Sequence, residues 1–192
     1  MIIHLNGWPG VGKKTIGTIL ASRLGARFID NHCLHDPALA CAGFDDPARW
    51  PLYETVRDAA YAVLRDRPAG EIFVMTNALS TKSDRELQSW RLVAELAMAR
   101  VVPLVPIILT AERDELLRRV ASPDRNPRKL TDPATLSGYL EKLHIQHPLV
   151  PETLVLDVTD LDPGAAANAI QNHLKSVSSK LPIATIAHLA LR

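Results

Sequence analysis

Residues 2–15 read Ile2-Ile3-His4-Leu5-Asn6-Gly7-Trp8-Pro9-Gly10-Val11-Gly12-Lys13-Lys14-Thr15. An apolar run of strand length enters a glycine-rich turn, and the turn opens a helical pattern carried by Ile16, Ile19, Leu20 and Leu24. Gly7, Gly12 and Lys13 have the G-x-x-x-x-G-K spacing of a phosphate-binding loop. In such a loop small residues let backbone N–H groups close on phosphate oxygens, and the lysine reaches the outer phosphates. The candidate phosphate-binding residues are therefore Gly10, Val11, Gly12, Lys13, Lys14 and Thr15. One position departs from the pattern: Lys14 stands where Ser or Thr would offer a hydroxyl to Mg²⁺, and the nearest hydroxyl, Thr15, comes one residue late.

A chain of 192 residues with 47% hydrophobic content supports one sizeable core and is short for two full domains. The net charge of +1 gives no electrostatic reason to expect nucleic acid or an acidic membrane as partner. Cys33 and Cys41 are too few for a disulfide framework and lack metal-ligand spacing. There is no basic leader and no apolar stretch of spanning length, so the expectation is a soluble cytoplasmic protein.

Strand-like and helical segments alternate, the pattern of a parallel sheet covered by helices on both faces. Strands are expected at 2–5, 26–29, 71–76, 102–109 and 153–158, with helices at 13–24, 48–66, 84–100, 111–120, 134–147 and 163–175. Gly25 is a plausible helix stop, and Asp162 before Pro163 a plausible helix start. Pro103 and Pro106 are awkward in a central strand, since each removes a ladder donor. Residues 31–46 carry the turn signals Asp36-Pro37 and Asp46-Pro47, and 121–133 read as a mobile loop rich in Ser, Pro, Asp, Asn and Arg. The tail 176–192 packs on the body, meets another subunit or is disordered, and the sequence leaves the three open, as it leaves open a homo-oligomer. In a doubly wound sheet ligands bind at the carboxyl ends of the strands. That rule gathers Gly7–Thr15, Asp30-Asn31-His32, Thr76-Asn77 and Asp160-Leu161-Asp162 at one edge.

The run Gly7 to Thr15 resembles the phosphate loop of the nucleoside-monophosphate kinase and shikimate kinase superfamily, in its adenylate-kinase form G-x-P-G-x-G-K-G-T. Phe28-Ile29-Asp30 is similar to the aspartate-bearing segment of shikimate, gluconate and chloramphenicol kinases. Arg118-Arg119 with Arg125 and Arg128 resembles their arginine-bearing lid, and Leu156-Asp157-Val158-Thr159 their closing strand. The opening Met1 to Gly7 and Trp50-Pro51-Leu52-Tyr53 are similar to tunicamycin-resistance ATP-binding proteins. The resemblance covers about residues 1–175. It implies a single three-layer P-loop kinase domain with a five-stranded, mostly parallel sheet, a helical substrate cap at about 31–68 and a lid at about 121–133. It also implies ATP and Mg²⁺ as cofactors and a small-molecule acceptor.

Phosphoryl transfer asks mainly for positioning and for positive charge on the transferring group. Between Arg113 and Lys129 six basic residues face three acids, the excess a cationic lid needs. Lys13 and Arg125 are the candidates to stabilise the transferring group, and Asp30 is the candidate base. Arg119 and Arg128 are candidates for the nucleotide, Arg119 against the adenine or ribose by resemblance. Asp30 has a bland alternative as a turn or helix cap. His32, standing where shikimate kinases carry a second aspartate, either binds substrate or packs. Neutral Thr76-Asn77 at a strand end leaves Mg²⁺ short of direct ligands, so it is expected to be held through water by Thr15 and Asp30. Asn31, His32, Arg49, Arg57 and Asn77 are the acceptor candidates, with Trp50 and Tyr53 serving either as stacking partners or as core. The function expected is ATP-dependent phosphorylation of a small-molecule hydroxyl or phosphate; the alternative is a nucleotide-binding or slowly hydrolysing switch. No N-K-x-D-like element points to GTP.

Overall fold

In the computed structural model, described here for residues 1–81, 83–126, 128–145, 150 and 152–178, the chain forms five strands and seven helices in alternation. The strands are β1 (Ile2–Asn6), β2 (Arg27–Asp30), β3 (Phe73–Thr76), β4 (Leu104–Thr110) and β5 (Leu154–Asp157). The helices are α1 (Lys13–Leu24), α2 (Asn31–Ala42), α3 (Arg49–Arg65), α4 (Asp84–Ala99), α5 (Arg113–Val120), α6 (Pro133–Lys142) and α7 (Pro163–Ser178). Of the expected tail, 179–192 lie outside the described residues, as do Lys82, Pro127, 146–149 and Pro151.

Strand order is β2-β3-β1-β4-β5, and every pairing is parallel. The burial of each strand follows its place in that order. β1, central and flanked on both sides, is buried at all five residues, whereas edge strand β5 alternates between half-buried and exposed. On one face Ile2, Phe73, Met75 and Leu104 pack under α3 and α4 with Tyr53, Tyr61, Trp90 and Val93. On the other, Ile3, Leu5, Val74, Val105 and Ile107 pack under α1 and α7 with Ile16, Leu20, Ile170 and Leu174. This is the period-two alternation of strands buried on both faces.

The prolines of β4 are accommodated by register. Pro103 lies before the strand, where its carbonyl accepts from the Ile2 N–H at 2.8 Å. The Thr110 carbonyl accepts from Val158 on the β5 side. Pro106 is an even step from Thr110, so its missing donor also faces β5, one residue before that pairing begins at Ile107. Gly25 ends α1 in the left-handed conformation, and the Asp162 carboxylate caps α7 by accepting from Gly164 and Ala165 at 2.8 and 3.0 Å.

Two segments differ from expectation. The helix expected over 134–147 ends at Lys142, with Leu143 extended. Residues 31–42 are a helix and not a turn-rich connection, with Pro37 inside it. Proline costs this helix a single internal hydrogen bond, and Leu34 and Ala38 offset that by burial against the α3 side of the core. The α3 end is held by Arg100, a buried guanidinium that donates to the carbonyls of Leu64, Arg67, Pro68 and Glu71 at 2.5–3.3 Å while lying 4.2 Å over the Phe73 ring.

The turn from β1 to α1 depends on backbone room. Gly7 has φ of 154°, and a Cβ there would sit 2.5 Å from the Leu109 carbonyl oxygen, an atom fixed in the sheet. Gly7→Ala is therefore expected to destabilise the fold by about 2 kcal/mol or more. Gly70→Ala, with open space around it, is expected to be neutral. Denaturant midpoints of the two variants check the contrast.

Candidate active site

The carboxyl ends of the strands open on a cavity of about 520 Å³. The loop from Pro9 to Thr15 forms one wall, Asp30-Asn31-His32 and Thr76-Asn77-Ala78 form another, and Arg118, Arg119, Arg125, Lys129 and Leu130 close it from the side of α5 and the segment after it. Parallel strands make this inevitable, since each strand ends at the same edge and each following turn must leave from there.

Lys13 begins α1, behind Gly12 with its φ of 96°. Its ammonium donates to the loop's own carbonyls, Gly7 O at 2.6 Å and Trp8 O at 3.0 Å. Desolvation, with Lys129 and Arg125 nearby, brings its pKa down to about 7 despite the opposing pull of Asp30. A lysine held in this way gains charge stabilisation when a phosphate arrives.

Asp30 occupies the N-cap position of α2, yet its side chain makes no capping hydrogen bond. Its Oδ1 accepts from the Thr76 hydroxyl at 2.8 Å, and that hydroxyl in turn accepts from the Asn31 N–H at 3.2 Å. Oδ2 is buried without a hydrogen-bond partner and lies 3.5 Å from the Lys14 ammonium. Burial pushes Asp30 up, but the Thr76 hydroxyl together with His32, Lys129 and Lys14 outweighs it, and the net shift is downward. The carboxylate is thus ionised at neutral pH, with one oxygen anchored by Thr76 and the other beside the Lys14 ammonium in the cavity wall.

Behind this wall runs a buried polar chain. His4, at 0% exposure, packs its ring 5.4 Å from Trp90 and meets Asn77 Oδ1 through Nε2 at 2.9 Å. Asn77 Nδ2 donates to Asn31 Oδ1 at 3.1 Å, and the Tyr53 hydroxyl donates to the same oxygen at 3.2 Å. Asn6 clasps the neighbouring turn both ways, donating to Leu79 O at 3.0 Å and accepting from Leu79 N at 2.7 Å.

On the opposite side, Glu115 is held well below the usual carboxylate range, at about 2, by hydrogen bonds from Arg118 and Arg119. Arg119 also donates to the Val158 and Thr159 carbonyls at 3.1 and 2.9 Å, which fixes its guanidinium against the rim after β5. Arg125 lines the cavity and donates to Leu130 O, and desolvation lowers its pKa.

No family model matches this sequence, and no curated protein does. Solved structures do match. A gluconokinase from Sinorhizobium meliloti 1021 superposes with a TM-score of 0.55 at 20% identity, covering 92% of this chain and 96% of its own. A shikimate kinase from Acinetobacter baumannii, in complex with shikimate, gives 0.55 at 18%, covering 94% and 95%. The tunicamycin resistance protein of Deinococcus radiodurans gives 0.58 at 18%, covering 90% and 94%. The chain has the fold of the P-loop small-molecule kinases.

Within that P-loop kinase fold the sequence-derived residues fall into three groups. Gly10, Val11, Gly12, Lys13, Lys14, Thr15, Asp30, Asn31, His32, Asn77, Arg119 and Arg125 all line the one cavity. His32 pairs with Asp36 at 3.0 Å, and Arg128 reaches the same carboxylate at 3.9 Å from outside the cavity lining. Arg49 and Arg57 stand elsewhere, on α3. Arg49 lies over the Phe44 and Trp50 rings at 4.7 and 4.5 Å, and buried Arg57 pairs with Asp58 at 2.8 Å beside an outer groove between α3 and α4. Lys129, counted in the basic segment but not singled out, lines the cavity between Asp30, Lys14 and Arg125. Two residues carried no sequence signal of their own: His4 and Asn6 could have been noticed only as polar interruptions of a buried strand.

Two pH effects follow. His4 has its pKa lowered from 6.5 to about 4, chiefly by burial. Because the unfolded chain binds the proton more readily, stability is full above about pH 6.5 and falls as pH drops toward 4, by on the order of 3 kcal/mol. His4→Gln is expected to remove that part of the acid destabilisation, as read from urea midpoints at pH 7 and pH 5. Lys13 works in the other sense: phosphate binding favours the charged form. Binding of a polyphosphate, with ATP as the probe, is expected to take up a proton near pH 7 and above and to weaken as pH rises further. Calorimetry in two buffers of different ionisation enthalpy measures that uptake, and an unchanged heat would refute it.

Proposed function

We propose that this chain is an ATP-dependent phosphotransferase that moves the γ-phosphoryl group to a hydroxyl of a small molecule. The observation that supports it best is the pairing, across a single cavity, of the Lys13 loop with a carboxylate oxygen of Asp30 that has no hydrogen-bond partner. Gluconokinase and shikimate kinase, which share the fold, are named for small hydroxylated acceptors.

The backbone N–H groups of Gly10 to Thr15 would cradle the phosphates at the start of α1. Lys13 would turn from the Gly7 and Trp8 carbonyls to the outer phosphates, while Arg125 and Lys129 meet the charge of the transferring group from the opposite wall. Arg119, fixed at the rim, suits the nucleoside end. The acceptor oxygen forms its bond to the γ-phosphorus as the bridging bond to ADP breaks, and its proton passes to Asp30 Oδ2. Asp30 and Thr15, which line the cavity, offer hard oxygen donors, but among the described residues no group of three or more His, Cys, Asp or Glu converges. That set suits an ion delivered with the nucleotide and held through water, with Thr15 and Asp30 as outer partners. When bound, Mg²⁺ supplies charge neutralisation on the phosphate oxygens.

Incubation with Mg-ATP and a polar metabolite mixture, followed by mass spectrometry, is expected to show one species gaining a single phosphoryl group. Lys13→Ala should abolish it with the circular dichroism spectrum unchanged, and Asp30→Asn should lower kcat by about 100-fold or more. Appearance of ADP and free phosphate alone would overturn the transfer reading in favour of a hydrolysing switch.

A further inference from the structure

The direction of each hydrogen bond in the buried chain behind Asp30 can be worked out from its ends. His4 Nδ1 is buried with no hydrogen-bond partner. An unpaired N–H in that place is the rarer and costlier state, whereas a bare ring lone pair is tolerated. The proton therefore sits on Nε2 and is donated to Asn77 Oδ1 at 2.9 Å. Asn77 must then present its Nδ2 to Asn31 Oδ1 at 3.1 Å, and the Tyr53 hydroxyl completes that oxygen at 3.2 Å. With its oxygen doubly occupied, the Asn31 carboxamide has only its N–H donors left for the cavity, which Asn31 lines. Had the His4 proton been on Nδ1, every bond would reverse and Asn31 would face the cavity with oxygen.

We infer that His4 is a positioning residue for acceptor recognition, acting through Asn77 to fix the Asn31 carboxamide with its N–H donors toward the acceptor. Asn31 follows Asp30 in the chain, and Thr76 ties the two together by accepting from the Asn31 N–H and donating to Asp30 Oδ1. The wall thus sets a proton-accepting oxygen beside an amide donor. An acceptor that satisfies both carries a second oxygen next to its reacting hydroxyl, as a vicinal diol or a 2-hydroxy acid does. A neutral relay suits this place because the cavity already holds many charges and an added carboxylate would set up a competing site for the lid cations. The acceptor class rests on the phosphotransferase reading; the polarity of the chain does not.

The two are tested separately. Long-range proton–nitrogen NMR of the histidine-labelled full-length protein is expected to show His4 as the Nε2–H tautomer, and the Asn77 carboxamide proton donated to Asn31 slowed in exchange. His4→Gln, whose amide nitrogen replaces Nε2, should keep that protection, and His4→Leu should lose it. An Nδ1–H tautomer, or equal protection in both variants, would overturn the relay. In activity, the acceptor recovered from the metabolite mixture is expected to bear an oxygen on the atom adjoining its phosphorylated hydroxyl. Its KM should rise about tenfold in His4→Leu, the factor one hydrogen bond supplies, with the ATP KM unchanged and His4→Gln near wild type. A product phosphorylated at an isolated hydroxyl, or a His4→Gln defect as large as that of His4→Leu, would overturn the recognition role. Absence of any phosphorylated product would remove the phosphotransferase reading and that role together, while the tautomer still decides the relay.

Discussion

The confinement of β1 between β3 and β4 is the constraint from which the rest of this molecule follows. Hydrogen-bonded on both edges and covered on both faces, the strand has no side chain in water from Ile2 to Asn6. Its polar side chains must reach protein partners, because a buried donor left without one costs more than its hydrogen bond would have returned. His4 and Asn6 therefore reach sideways, to Asn77 and to the Leu79 backbone, and so fix the turn after β3 in relation to the turn after β1. The same burial puts Gly7 against Leu109 and leaves the chain no course but the tight, glycine-lined path to α1. A site at the sheet edge is thus positioned from inside the core.

Charge is distributed unequally around that site. Lys13, Lys14, Arg118, Arg119, Arg125 and Lys129 line the cavity against Asp30 and Glu115. Glu115 is already engaged by the guanidinium groups of Arg118 and Arg119, so it structures the rim more than it answers the cavity's potential. The surplus falls on Lys13, which burial and its cationic neighbours bring to about neutral pKa, and on Lys129, whose pKa desolvation lowers. An arrangement of this kind is poised for a polyanion: its self-repulsion is relieved when phosphates enter, and the attraction is largest where water is excluded. Lys14 has a different task. Instead of the hydroxyl usual at its position it brings an ammonium to the free oxygen of Asp30, and so helps keep that oxygen charged.

Much of this was legible in the sequence, for reasons that differ by residue. The glycine-rich turn from β1 to α1 was readable because positive φ at Gly7, Gly10 and Gly12 calls for glycine, and the strand alternation because burial on both faces leaves only apolar runs. Gly25 and Asp162 announced helix ends through local chemistry and did end or begin helices. Residues 31–42 misled because Asp36-Pro37 is a turn signal only when nothing else orders the chain; the packing of Leu34 and Ala38 is a tertiary fact no local signal carries. Arg49 and Arg57 share a helix with Tyr53, and sequence spacing alone could not tell which side of that helix meets the cavity. Only Tyr53 reaches inward, to Asn31, while the two arginines are spent on aromatic faces and on Asp58.

Asp30 shows how such residues are told apart. At a strand-to-helix junction an aspartate is ordinarily a cap, and its backbone here has the extended conformation that caps adopt. The side chain turns away because Thr76, one strand over in register with it, offers a hydroxyl at 2.8 Å. That hydroxyl also accepts the Asn31 N–H, satisfying one of the donors at the α2 start by way of Thr76 and so releasing the carboxylate from the duty. The neutral end of β3, which on spacing alone looks like a missing metal ligand, is what leaves Asp30 Oδ2 without a hydrogen-bond partner, beside the Lys14 ammonium. A carboxylate at position 76 could accept from Asn31 but not donate to Asp30, and two like charges so close would push one of them toward its protonated form. Threonine at 76 and asparagine at 77 therefore follow from the need to keep a single ionised carboxylate at this wall.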